Sequence, residues 1–276
     1  MLSEVIKQGC ILSALIVGMS FQGCSEKDDK AGELLGQSQE ALETGNYEEV
    51  LILLDSIDHT YPDAVEVRRK AMAIRPKAIE NVTIKQLSVT DSLLAVEMSK
   101  GEALCNKLVK IDNPIEPYMI GETEKGVVFS AVAGLHSRLS PDGMLFLTVT
   151  NDKPCGAERV ILISGDDRME SPIIKVDGER NQLLNGREVI NFTPEESNDL
   201  SEFIIMHKNA PVTLVFEGRR GSQKMNLSEV QEQAVHQTYE TSRTLINCRV
   251  LNLEKQRLEK QLAVARNQIA RTLSEK

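Results

Sequence analysis

The spacing of apolar positions changes twice along the chain, from a helical period to an alternating one and back again. Residues 227–276 contain no Pro or Gly, and Cys248, Leu251, Lys255, Leu258, Leu262, Ala265 and Ile269 recur at alternating steps of three and four. Such steps keep one stripe of a slightly underwound helix turned toward a partner helix. A second Pro-free stretch, 77–110, carries Ile84, Leu87, Leu94, Met98, Cys105 and Leu108 on a similar seam, interrupted by Asp91 and Gly101. Two seams of like length on either side of a middle region predict an antiparallel coiled coil closed within one chain. Placing Cys105 opposite Cys248 puts Met98 opposite Lys255, Asp91 opposite Leu262 and Ile84 opposite Ile269, so that apolar positions mostly meet apolar ones. Both thiols then share one register. They form a candidate disulfide if their Cα atoms come within about 7 Å; the alternative is two buried thiols packing as small hydrophobes.

Ahead of the first seam, Leu34, Ala41, Val50, Leu51, Leu54 and Ile57 recur at helical spacing, and Gly45-Asn46-Tyr47 breaks the pattern with a turn. A helical hairpin over 34–76 follows. Leu34, Ala41, Gly45, Tyr47, Val50, Leu54, Ile57 and Pro62 resemble one tetratricopeptide repeat, with Val50 where that motif has a small Ala. One hairpin cannot cover its own apolar face, so it must dock elsewhere. Residues 24–33 read as a tether, and Pro76 is expected to kink or restart the helix that begins near Pro62.

Between the seams the period falls to two. Residues 127–133, 144–150, 159–164, 172–176, 188–192 and 211–218 read as strands, and Gly221-Ser222 turns into a last one. Pro141-Asp142-Gly143, Asn151-Asp152-Lys153-Pro154, Gly165-Asp166-Asp167 and Asn185-Gly186 are turn signals. Thr193-Pro194-Glu195-Glu196 starts a capped helix whose apolar face is Leu200, Phe203, Ile204 and His207. The expected fold is therefore α+β: a helical hairpin (34–76), a first coiled-coil helix (77–110), an inserted antiparallel β domain (111–226) and a returning helix (227–276).

Composition narrows the function more than the fold. Aromatic residues make up 4% of the 276 residues and Trp is absent, so the core must be aliphatic and stacking platforms for bases are scarce. A formal charge of -9 disfavours nucleic acid, whose phosphates need a basic footprint. The charge is unevenly spread. Between residues 26 and 66 the carboxylates face only Lys27 and Lys30, whereas Arg249, Lys255, Arg257, Lys260, Arg266 and Arg271 make the last helix basic. The acidic hairpin and this basic end are expected to pack together.

Residues 1–23 read as an export signal, with Lys7 leading, an apolar core over 11–21 and small residues before Cys24. That core is roughly a dozen residues, short of the about 20 that span a bilayer. Phe21-Gln22-Gly23-Cys24 resembles a bacterial lipobox, with Phe for the usual Leu, and Ser25-Glu26-Lys27-Asp28-Asp29 resembles the acidic surface-export signal of Bacteroidota lipoproteins. The resemblance implies lipidation at Cys24, cleavage before it and an outer-membrane address, with the membrane as partner through the lipid. The alternative is a secreted protein with a Cys at its cleavage site. Cys105, Cys155 and Cys248 would then remain in a compartment that permits disulfides.

Chemistry-bearing motifs are missing from the sequence: there is no phosphate-cradling Gly-rich loop, no nucleophile elbow and no His-Glu-x-x-His helix. His59, His136, His207 and His236 stand far apart, without a second metal ligand at helical spacing. No cofactor, metal site or catalytic residue is expected. The resulting expectation is a non-enzymatic, monomeric envelope lipoprotein that presents a β domain on a coiled-coil stalk to a protein or glycan. Its rivals are an oligomeric coiled-coil accessory subunit and an envelope hydrolase, the last requiring Cys155, His136 and a carboxylate to cluster.

Overall fold

A computed structural model describes residues 22–274, with side chains from residue 28 onward. The expected signal lies outside the described residues except for its last two positions, and the Cys24 side chain lies outside them as well. The fold is α+β, with helices at both ends of the sequence and antiparallel sheets between them. It divides into two compact units: residues up to 92 together with 253 onward, and residues 93–252.

In the first unit, α1 (Gln22–Glu43) and α2 (Tyr47–Thr60) form the expected hairpin about Gly45, whose φ of 78° suits a residue without a Cβ. The predicted tether is not extended, because 24–33 lies within α1. Ala31 is fully buried on the stripe that continues through Leu35 and Ala41, so the helical period begins before Leu34. α3 (Val65–Cys105) passes through Pro76 without a break. Ala71 and Ala78 pack there under Leu35, Val50, Leu54 and Ile57, and this burial outweighs the local cost of Pro.

The acidic hairpin finds its cations on α3. Arg75 reaches Asp55 at 2.5 Å and Asp58 at 2.7 Å, Arg68 bonds Asp58 at 2.9 Å, and Lys85 meets Glu48 at 2.7 Å. The Arg68 hydrogen bond, with Arg75 beside it, holds the Asp58 carboxyl below the usual range. α5 (Glu229–Ser274) instead directs Arg266 to Glu80 at 2.9 Å, so the expected pairing of its basic end with the hairpin is replaced by one with α3.

The second unit holds two antiparallel sheets. One has the order β1-β2-β3-β4-β8-β7, built from β1 (Leu108–Ile111), β2 (Tyr118–Gly121), β3 (Gly134–Leu139), β4 (Leu145–Asn151), β7 (Asn181–Leu184) and β8 (Arg187–Asn191). The other, β10-β9-β5-β6, uses β5 (Ala157–Ser164), β6 (Asp167–Glu170), β9 (Thr213–Gly218) and β10 (Gly221–Asn226). Leu135, Leu147 and Val149 from the first sheet meet Leu162, Leu214 and Phe216 from the second in one core, aliphatic apart from three Phe. α4 (Pro194–Met206) adds Leu200, Phe203 and Ile204, and its N-terminus carries the expected capping box between Thr193 and Glu196.

The expected strands at 144–150, 159–164, 188–192 and 211–218 are present as β4, β5, β8 and β9, and the last as β10. Those at 127–133 and 172–176 are not strands. The first folds as a loop across a sheet face, and the second joins β5 only through a bond from Ile174 N to Glu158 O. β1, β2, β3, β6 and β7 were not expected; Leu108, placed on the helical seam by its spacing, begins β1 instead.

Within each unit the two long helices run antiparallel in the same register. In the first, Lys255 pairs with Asp91 at 2.7 Å; in the second, Thr244 and Leu245 flank Gly101. Lys255 thus stands where Leu262 was expected opposite Asp91, a slip of one heptad. The seam of α5 is as predicted, with Leu258 and Ala265 buried, but that of α3 is turned by one residue at alternate positions. Thr83 and Thr90 are buried while Ile84 is 43% and Met98 58% exposed. A heptad is about 10 Å of helix, beyond disulfide reach, and Cys105 and Cys248 are both free thiols rather than the candidate pair.

A Cβ on Gly101 would sit 3.6 Å from Leu245 and Thr244 side chains, an ordinary contact, within a helix where Gly weakens the backbone. Gly101→Ala is therefore expected to stabilise the chain by about 0.5–1 kcal/mol, read as a raised midpoint in urea unfolding. A lowered midpoint would contradict this register.

Candidate functional site

β3 alternates across the six-stranded sheet: Leu135 and Leu139 face buried clusters, whereas His136 and Arg138 project from the opposite, outer face. The cross-strand partners of this outer pair are Thr148 and Phe146 on β4. The loop that follows β2 lies over the His136 end. A short 3-10 turn, Glu122–Glu124, delivers Glu124 to His136, with Oε1 2.8 Å from Nδ1 and each side chain 2% exposed. Glu124 Oε2 accepts from the Ser137 amide at 3.2 Å, and His136 Nε2 lies 2.9 Å from the Val132 carbonyl. Phe129 stacks on the imidazole with centroids 4.8 Å apart, Thr150 donates to the Phe129 carbonyl at 2.7 Å, and Gln231 donates to the Ala133 carbonyl at 3.3 Å. Five side chains thus hold a loop that has no ladder of its own.

Beside this loop runs a groove of about 350 Å³. Val127 and Val128 form one wall, Gln182 and Leu184 of β7 the other, and Arg138, Thr148 and Asn191 face it from the floor. The Arg138 guanidinium lies over the rings of Phe146 and Tyr118, 5.1 and 5.9 Å from their centroids. Its Nε is shielded from solvent and has no hydrogen-bond partner. On the other sheet, Arg159 and Arg168 pair with Glu170, so the contrast is specific to this face. Among the described residues no carboxylate lines the groove. Thr148 Oγ1 donates to Asn191 Oδ1 at 2.8 Å, which leaves the Asn191 amide hydrogens to other acceptors.

Cys155 and His136 do not come together. Cys155 is buried in the core between the sheets, where Glu188, 3% exposed, accepts from the amides of Ala157 at 2.7 Å and Cys155 at 3.3 Å and from Asn151 Nδ2 at 3.4 Å. Burial first, and then the Glu188 carboxylate, push the Cys155 thiol above its ordinary value. The Glu188 carboxylate lies 3.9 Å from the Cys155 sulfur, but His136 is not beside them, so the three-part cluster required by the hydrolase reading does not form. Cys105 and Cys248 are likewise raised, by burial first. Among the described residues no group of three or more His, Cys, Asp or Glu is arranged to hold a metal ion. A larger cleft of about 600 Å³ between 208–211 and the start of α5 carries Lys208, Glu229 and Glu232, where burial first and then the neighbouring Glu229 hold the Glu232 carboxyl above its ordinary value. Among the described residues Arg138 is the one charged side chain lining its groove; Arg187, whose Nε is likewise shielded and without a partner, lies outside that lining.

Sequence reasoning missed Arg138 because 127–133, the more apolar run, drew the strand assignment away from 134–139. The signal was present as the alternation of Leu135, Ser137 and Leu139 with His136 and Arg138. No protein family profile matches this chain, and neither does a curated protein or a solved structure.

Removing the Glu188 carboxylate strands the buried amides of Cys155 and Ala157 and leaves Asn151 Nδ2 with its bond to the Lys153 carbonyl. Glu188→Ala is expected to cost roughly 2–4 kcal/mol in urea unfolding, and Glu188→Gln, which keeps one acceptor oxygen, clearly less. Equal losses in the two variants would mean that charge, rather than acceptance, is what the cluster needs.

Proposed function

We propose that the chain is a non-enzymatic envelope lipoprotein, anchored to the outer membrane through acylated Cys24, whose sheet unit binds or scaffolds a partner. One observation carries the binding role: a groove on an open sheet face, walled by a loop whose bonds are already made, with a guanidinium that no group among the described residues neutralises. A preformed concavity with a few placed polar groups is the usual form of a ligand site. The lipid anchor rests on the resemblance of Phe21-Gln22-Gly23-Cys24 to a lipobox. No described helix is long and apolar enough to cross a membrane, and acyl chains at about 0.8 kcal/mol per buried methylene would supply the attachment. The second reading, an accessory subunit that assembles with copies of itself, draws on Leu93 and Val96, exposed about one turn apart on α3.

Expressed in a bacterium that processes lipoproteins, the chain should incorporate an alkynyl palmitate and lose the label on Cys24→Ala. Label retained by that variant would reject the anchor.

A photocrosslinking residue at Val128, on the groove rim and 62% exposed, should capture a molecule other than this chain, while the same residue at Ile173 should not. Capture of nothing but further copies of the chain would sink the binding role in favour of the assembly role.

A further inference from the structure

The chemistry of the groove restricts what can occupy it. In a protein of net charge -9, the groove is lined by a single charged side chain, the cation Arg138. A guanidinium left without a carboxylate is held ready for an external anion. Its face is taken by Phe146 and Tyr118 and its Nε is shielded, so what it offers a ligand is the end with the two Nη groups, which can meet two coplanar oxygens. Asn191, its oxygen engaged by Thr148, adds amide donors rather than an acceptor. Beyond this polar end, Val127, Val128, Leu184 and Val189 give the groove an apolar side. One cation suits a monoanion better than a doubly charged phosphate, and the apolar side suits a hydrocarbon portion.

We infer that the groove binds the carboxylate of a small organic acid through Arg138, with the acid's apolar portion against Val128 and Leu184. This inference rests on the binding role and deepens it by naming the ligand class. The carboxylate could belong to a free short-chain acid or to the C-terminus of a peptide; the chemistry at Arg138 is the same for both. The pinned loop makes the site available without rearrangement, since the bonds of Glu124, His136 and Thr150 lie beneath the wall and are not among those a ligand would displace.

The test uses the full purified chain and follows the Arg138 Nε–H resonance by NMR alongside calorimetry. Hexanoate should move that resonance and bind, whereas hexanol, with the same tail and no charge, should not. N-acetyl-Gly-Val should bind more tightly than hexanoate if the carboxylate comes from a peptide end, and more weakly if it comes from a free acid; the corresponding C-terminal amide should not bind in either case. Arg138→Gln should weaken hexanoate at least about tenfold, the loss expected for one charge-assisted pair, and Arg138→Lys should weaken it less. Arg168→Gln, on the other sheet and outside the groove lining, should leave it unchanged. If Arg138→Gln does not fold, the resonance in the unaltered chain still decides. An Arg138 signal indifferent to both carboxylates, or hexanoate affinity unchanged in a folded Arg138→Gln, overturns the inference. Should that happen while Val128 still captures a foreign molecule, the binding role stands and only the ligand class falls.

Discussion

A charge on a packed surface needs an opposite charge or a set of donors beside it, because desolvation without compensation costs more than packing returns. That requirement orders both units. In the first it seats the hairpin on α3 through Arg68, Arg75 and Lys85, and it brings Lys255 across to Asp91. In the second it buries Glu124 against His136 and the Ser137 amide, and surrounds Glu188 with three donors. Individual exposed pairs such as Arg266 with Glu80 add little stability. Their weight lies in excluding other arrangements, each of which would leave several charges without partners.

The helix register shows how much of this was legible. The seam of α5 could be read from spacing alone, but a slip of seven residues preserves a heptad pattern, so periodicity cannot distinguish the registers. Aligning the two thiols put Asp91 against Leu262 and Lys255 against Met98, two charges each facing an apolar residue. Aligning the two charges with each other yields the register found, and both were visible as interruptions of their seams. Thiols are weak guides to register because they pack acceptably almost anywhere; charges are strong ones because they do not.

The sheets were partly legible for a related reason. β4, β5, β8 and β9 alternate strongly because one side of each is closed by the core, and the Thr193 capping box and Asn185-Gly186 turn act locally. β1, β2, β6 and β7 are four residues each, too short to show a period. The stretch 127–133 is apolar for a different reason from a strand: it covers a sheet face, and its backbone is satisfied by side chains of β3, β4 and α5 instead of by a ladder. Nothing in the composition of that stretch separates the two causes. His136 is close by, but Thr150 and Gln231 bond it from 21 and 98 residues away, which is also why the groove beside it could not be foreseen.

Arg138, like Arg187, stands outside those pairings with a buried Nε, and it is the one that ring faces hold beside a groove. Ring faces stabilise a guanidinium without neutralising it, since the interaction is with a quadrupole and leaves net charge in place. Phe146 and Tyr118 can therefore keep this side chain in position while its in-plane donors stay available. The alternative of pairing it with an acid of the chain would fix it equally well and close the site. Rigid walls compound the effect: a loop held by buried bonds to His136 and Thr150 has already lost its conformational freedom on folding, so a ligand entering the groove need not order it. A single cation, a ring-held orientation and a preordered wall are together more than stability of this sheet requires, and the surplus is what marks the face as one that meets something else.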